Sequence, residues 1–159
     1  MSLTRIANYS NWDDQELYGD LKSFYHDLLF QVQRRPQECI DFLFGALEHH
    51  SLATPILKNR IPEILDTLQK ILDIDITAYL RNGPLDSLSK ILYRIRMQLN
   101  NMRYILTRGI RDLTNIDYKN YFQEPKIVRL NSYVQELKNL EYQSFELEGR
   151  TRDISNPSI

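Results

Sequence analysis

The stretch PLDSLSKILYRIRMQLNNMRYILTRGIRDL, residues 84–113, decides the fold. Its apolar positions Leu85, Leu88, Leu92, Ile95, Leu99, Met102, Leu106 and Leu113 advance in steps of 3, 4, 3, 4, 3, 4 and 7 residues, and only Gly109 interrupts them. That spacing keeps one seam of a helix turned towards a partner over about eight turns. Ile91, Ile105 and Ile110 widen the seam on its flanks. The helix is therefore predicted to be covered by more than one neighbour, as the spine of a bundle rather than one member of a two-stranded zipper. The same stretch carries Lys90, Arg94, Arg96, Arg103, Arg108 and Arg111 against Asp86 and Asp112, in a chain whose net charge is −1.

Upstream of the spine, Asn82-Gly83-Pro84 ends one helix and launches the next, because Gly closes helices and Pro opens them. A short helix through Thr77, Ala78 and Leu80 follows the punctuation Asp73-Ile74-Asp75. Before it, Ile61, Ile64, Leu65, Leu68, Ile71 and Leu72 share one helical face. That helix can start at Thr54-Pro55 or, with the cleaner pattern, at Ile61-Pro62. A proline at position 62, tolerated in a first turn, would kink a helix begun at Pro55, so a break or bend is expected near Arg60. The segment from Pro36 to about His49 has apolar residues nearly all round (Ile40, Phe42, Leu43, Phe44, Ala46, Leu47) and is expected to be the most buried. The first helix begins near Ser10 or Asn11 and runs to about Gln33, with Leu17, Leu21, Phe24, Leu28 and Val32 inward. Asp13, Asp14 and Glu16 lie in its first turn, and Arg34 and Arg35 at its end complement the helix dipole.

Downstream, residues 114–124 hold Ile116, Tyr118, Tyr121 and Phe122 without a long period, which predicts a packed connection with one turn of helix. Pro125 opens the last helix. Ile127, Leu130, Val134, Leu137, Leu140 and Leu147 mark its inner face, and Gly149 is the expected stop. The reading is an all-α bundle of about five principal helices around the long central helix, as a single domain over residues 1–149 with a polar tail over 150–159.

Composition agrees with this. The 159 residues suffice for one domain, and five Gly and six Pro leave little material for β-turns. The single Cys39 excludes an internal disulfide framework and lies in an apolar run, where a free thiol acts as a small hydrophobe. Residues 1–10 carry no apolar signal core, and no stretch reaches the ~18 uninterrupted apolar residues of a spanning helix. A cytoplasmic protein without a membrane role is expected.

Catalytic chemistry finds no support in the spacing. His49 and His50 are adjacent, so on a regular helix they point about 100° apart and cannot share one small metal. Their expected role is to complement a helix C-terminus. A di-iron carboxylate bundle needs Glu-x-x-His on two helices, yet Ser23, Ala46 and Leu47 precede His26, His49 and His50 by three. There is no glycine-rich phosphate loop, nucleophile elbow or Cys/His zinc spacing. No enzyme activity, metal or cofactor is therefore expected.

Charge distribution is the remaining functional signal. Residues 1–50 hold four Lys/Arg and eight Asp/Glu, against six and two in the spine. At about 100° per residue, Arg96 and Arg103 fall at the edge of the apolar seam, placed to meet a neighbouring helix at Asp20 and Asp27 of the first helix or Glu136 of the last. Lys90, Arg94, Arg108 and Arg111 lie on the opposite face with Met97, Asn101 and Tyr104. Two functional readings follow. In the first, the chain is a non-enzymatic interaction module, a subunit or adaptor of a protein assembly. In the second, Lys90, Arg94, Arg108 and Arg111, with Asn101 and Tyr104 beside them, hold nucleic-acid phosphates in a nucleoprotein complex. Exposure of the four cations on one unobstructed patch favours the second reading, and carboxylates lying across them favour the first.

Overall fold

The computed structural model describes residues 12–48, 53–73, 85–121 and 123–155, and among these every long element is a helix. In chain order they are α1 (Trp12–Leu29), α2 (Pro36–Leu47), α3 (Ala53–Asp73), α4 (Leu85–Ile116), the single turn α5 (Tyr118–Tyr121) and α6 (Pro125–Ser155). The all-α bundle is as expected, with five principal helices. The expected first-helix cap at Ser10 or Asn11, the His49–His50 pair and the short helix through Leu80 lie outside the described residues.

The spine is α4, 32 residues long. Leu88, Leu92, Ile95, Leu99, Met102, Leu106 and Leu113 are all fully buried. Its principal neighbour is α6, of 31 residues, which returns antiparallel after the short connection through α5. Their register brings Arg96 to Glu148 and, seven residues further along α4, Arg103 to Glu141. On its other flank α4 receives α3 and α2. There Gly109 is buried, and a Cβ built on it would stand 3.0 Å from Leu43 Cδ2 and 3.4 Å from Leu57 Cδ1. The gap in the apolar seam is thus where two leucines of neighbouring helices close onto the spine.

α1 packs along α6, antiparallel to it. Gln31 and Arg35 just beyond its end meet Tyr133 and Ser132, while Asp20 at its middle meets Arg150. The first helix does not stay α-helical to Gln33. Residues Phe30–Arg34 form a π-helical turn closed by Arg35 N–H donating to the Phe30 carbonyl at 3.2 Å. Two causes meet there. Pro36 has no N–H for the carbonyl four residues back, and the Tyr133 hydroxyl donates to the Gln31 carbonyl at 2.9 Å, inserting a side chain into the helical ladder.

Three further expectations are corrected. Of the break or bend expected near Arg60 the break is absent, and the helix starts at the earlier proline rather than at Ile61-Pro62: α3 is continuous from Ala53, with Pro62 inside it. Lys58 and Pro62 are both exposed, so the carbonyl that loses its donor lies on the wet side of the helix. Gly149 does not stop α6, which runs on to Ser155 and buries Thr151. α2 is buried on one side only, through Cys39, Ile40, Leu43 and Leu47, while Phe42 and Phe44 stay half-exposed and Lys126 Nζ sits 5.4 Å from the centre of the Phe42 ring.

Candidate partner-docking face

The outward side of α4 repeats the periodicity of its buried seam. Lys90, Arg94, Met97, Asn101, Tyr104, Arg108 and Arg111 advance by 4, 3, 4, 3, 4 and 3 residues, which makes them one stripe along the helix. Lys90, Arg94, Arg108 and Arg111 are exposed, and among the described residues their side chains have no hydrogen bond or ion pair. Asn101 is half-buried. The stripe is not one cationic patch. Lys90 and Arg94 lie at one end and Arg108 and Arg111 at the other, with 14 residues between Arg94 and Arg108, or about 21 Å of helix.

The middle of the stripe is apolar and accessible: Met97 is 37% and Tyr104 63% exposed. It continues sideways. Tyr93 at the edge of α4 is 48% exposed, and Tyr142 and Phe145 on the adjoining side of α6 are 66% and 58% exposed. The Arg96 guanidinium ties the two helices together on this face, lying 5.1 Å from the ring centres of both Tyr93 and Phe145. Its Nε donates to Glu148 at 2.6 Å and its Nη2 to the other carboxylate oxygen at 3.3 Å. About two turns along, Arg103 forks onto Glu141 in the same way, through Nε and through Nη2 at 3.2 Å, while Asn100 donates to that carboxylate at 2.9 Å.

Arg96 and Arg103 thus sit at a helix edge as expected, but the partners are Glu148 and Glu141, not Asp20, Asp27 or Glu136. The first helix lies beyond α6, and Asp20 is held by Arg150 at 2.7 Å. Glu148 is nearly buried and Glu141 half-buried, which strengthens each fork. The hydrogen bond to Glu148 raises the Arg96 pKa above its ordinary value, and the bond to Glu141 does the same for Arg103. The two arginines at the centre of the face are therefore neutralised in place, whereas Lys90, Arg94, Arg108 and Arg111 at its ends have no such partner among the described residues.

Tyr93, Tyr142 and Phe145 are absent from the sequence reading. A signal for them existed. The buried seam of α6 runs Ile127, Leu130, Tyr133, Leu137, Leu140, Ser144, Leu147 and Thr151, and on that wheel Tyr142 and Phe145 fall outside it.

Elsewhere the molecule offers less. An open cleft of about 200 Å³ between α1 and α6 is lined by Asp20, Ser23, Gln143, Glu146, Leu147 and Arg150, below the size of ordinary small-molecule sites. Its charges are mutually engaged, Arg150 reaching Asp20 at 2.7 Å and Glu146 at 3.9 Å. Among the described residues no three or more His, Cys, Asp or Glu are grouped to hold a metal ion. Cys39 is buried, and desolvation raises its thiol pKa, which disfavours the reactive thiolate. No helix among the described residues is long and apolar enough to cross a membrane. Compared with known proteins, the chain matches no family model, no curated sequence and no solved structure.

Proposed function

We propose that the chain is a non-enzymatic helical interaction module, a subunit or adaptor that presents the α4–α6 face to a protein partner. The observation carrying this reading is the exposed cluster Tyr93, Met97, Tyr104, Tyr142 and Phe145, flanked by unpaired cations. Tyr, Phe, Met and Arg are the residues enriched where proteins meet, and an apolar centre with a charged rim is the usual anatomy of such a contact. Isolated exposed hydrophobics need no explanation, but five on one face of two adjacent helices do. Co-purification from the cells that make the protein tests it. A protein partner should be lost on Met97→Asp with Tyr104→Asp, and kept on Ile56→Asp with Val128→Asp, which alter comparably exposed apolar residues elsewhere. Loss in both variants, or in neither, contradicts the assignment of this face.

The four unpaired cations also support the second reading, in which the stripe holds nucleic-acid phosphates. Among the described residues no ion pair with a carboxylate ties up any of the four, which favours that reading. Their separation into two pairs by an apolar middle supports the protein partner instead. If the species lost from the Met97/Tyr104 variant is a nucleic acid, the second reading replaces the first.

A further inference from the structure

Resting on this protein-docking reading, we infer that the α4–α6 face takes an amphipathic helix that is acidic at both ends and apolar in its middle. Three features of the face specify it. The first is the separation of charge. Lys90 and Arg94 form one cationic end, Arg108 and Arg111 the other, and Lys138 on α6, one turn from Glu141 towards the Arg108 end, is exposed as well. Between them the centres of charge are pinned, since Arg96 is forked onto Glu148 and Arg103 onto Glu141. A partner therefore meets positive potential at two places roughly 26 Å apart, from about 1.5 Å of rise per residue, and an apolar surface between.

The second feature is the form of that surface. It lies along two antiparallel helices packed side by side, and the line between two such helices is where a third can lay its apolar face. Tyr93, Met97 and Tyr104 on one side and Tyr142 and Phe145 on the other cover about three turns, the length over which a helix presents anchors at i, i+3 or i+4 and i+7. Strand addition has nothing to pair with here, because the backbone groups of both helices are consumed internally.

The third feature decides against a second copy of the chain. Two copies meeting through this stripe in antiparallel register bring Lys90 and Arg94 against Arg108 and Arg111. In parallel register each pair faces itself. Both arrangements set cation against cation, which suppresses association. Carboxylates at both ends of the incoming helix remove that conflict in either orientation.

The test uses the full chain and synthetic amphipathic helices of about 24 residues, with a leucine stripe in the middle and either Glu or Lys in the terminal turns. Titration calorimetry at low salt should show the Glu-ended helix bound at least about tenfold more tightly than the Lys-ended one. Replacing Lys90, Arg94, Arg108 and Arg111 by Glu should reverse that preference, and the same four changed to Gln should abolish it without reversal. Met97→Asp should weaken both peptides. Equal affinities, or no binding of the Glu-ended helix, overturn the inference. So does tighter binding of a single-stranded oligonucleotide or of phosphatidylserine vesicles, which would mean that the cations read phosphate. If this fails while co-purification still depends on Met97 and Tyr104, only the acidic helix is rejected. If both fail, the face itself is.

Discussion

Ser144, on α6, donates its hydroxyl to the carbonyl oxygen of Leu92, on α4, at 2.7 Å inside the buried interface of the two longest helices. Its neighbours in the seam, Leu140 and Leu147, are large apolar side chains, and a small residue between them lets the serine hydroxyl reach the facing backbone. The carbonyl keeps a second lone pair for its own helix, so Ser144→Ala leaves no orphaned acceptor and should cost about 0.5–1.5 kcal/mol in urea unfolding. Ser144→Leu should cost more, about 1–3 kcal/mol, by overpacking. A stabilised Ser144→Leu protein would mean that the helices are further apart than described.

Leu99 is fully buried at the centre of the spine. Leu99→Ala should cost about 2–5 kcal/mol, through lost transfer energy and the cavity left behind. Denaturant unfolding with an unchanged m-value is the check. A loss below about 1 kcal/mol would place the seam in solvent.

The two forks between α4 and α6 should behave as coupled pairs. Glu148→Gln leaves the partly buried Arg96 without its counter-charge and should cost about 1–3 kcal/mol. Arg96→Met in the same background should cost much less than in the wild type, and the double-mutant cycle reads the coupling directly. Additive effects at these positions would show that the fork does not persist in solution.

Tyr133 gives the fold a dependence on alkaline pH. Its ring is fully buried, and desolvation pushes the phenol well above its ordinary value of 10.0. A raised folded-state pKa means that the contribution is complete below the unfolded pKa and is lost as pH rises above it. Stability should therefore fall above about pH 10, by up to about 1.4 kcal/mol per pH unit from this group. The buried Cys39 thiol, also raised by desolvation, acts in the same direction from a lower pH. Tyr133→Phe should flatten the curve above pH 10 and, by losing the bond to Gln31, lower stability at neutral pH by about 1 kcal/mol. An unchanged alkaline slope in that variant would contradict the burial of the hydroxyl.

The spine was legible because its apolar residues recur without interruption, and every described one of them on the seam is buried. α6 was read less well for a physical reason. Tyr133, Ser144 and Thr151 occupy its seam, and a reading by apolarity passes over residues whose polar atoms are satisfied by a neighbour that only the fold supplies. Val134, which the apolar pattern puts on the inner face, is half-buried beside Tyr133. The same limit applies to ion pairs. Position on a helix wheel placed Arg96 and Arg103 at an edge, but which carboxylate they meet depends on the α4–α6 register, set by loop length and packing. At Pro62 the carbonyl of Lys58 that loses its donor lies on the exposed side of the helix, where water can replace it, and the helix continues. The cations of the outer stripe were found by phase alone. Their division into two ends became visible only once Arg96 and Arg103 were seen to be neutralised.

The claim that the α4–α6 face docks a protein is tested most directly by photocrosslinking from position 104. With a photoreactive phenylalanine replacing Tyr104, irradiation in the cells that make the protein should yield a discrete adduct that survives nuclease and is removed by protease. The same group at Val128, which is exposed on α6 about 21 Å along the helix from Tyr142, should yield none. An adduct from position 128 but not from 104, or one from 104 that nuclease destroys, would contradict the account.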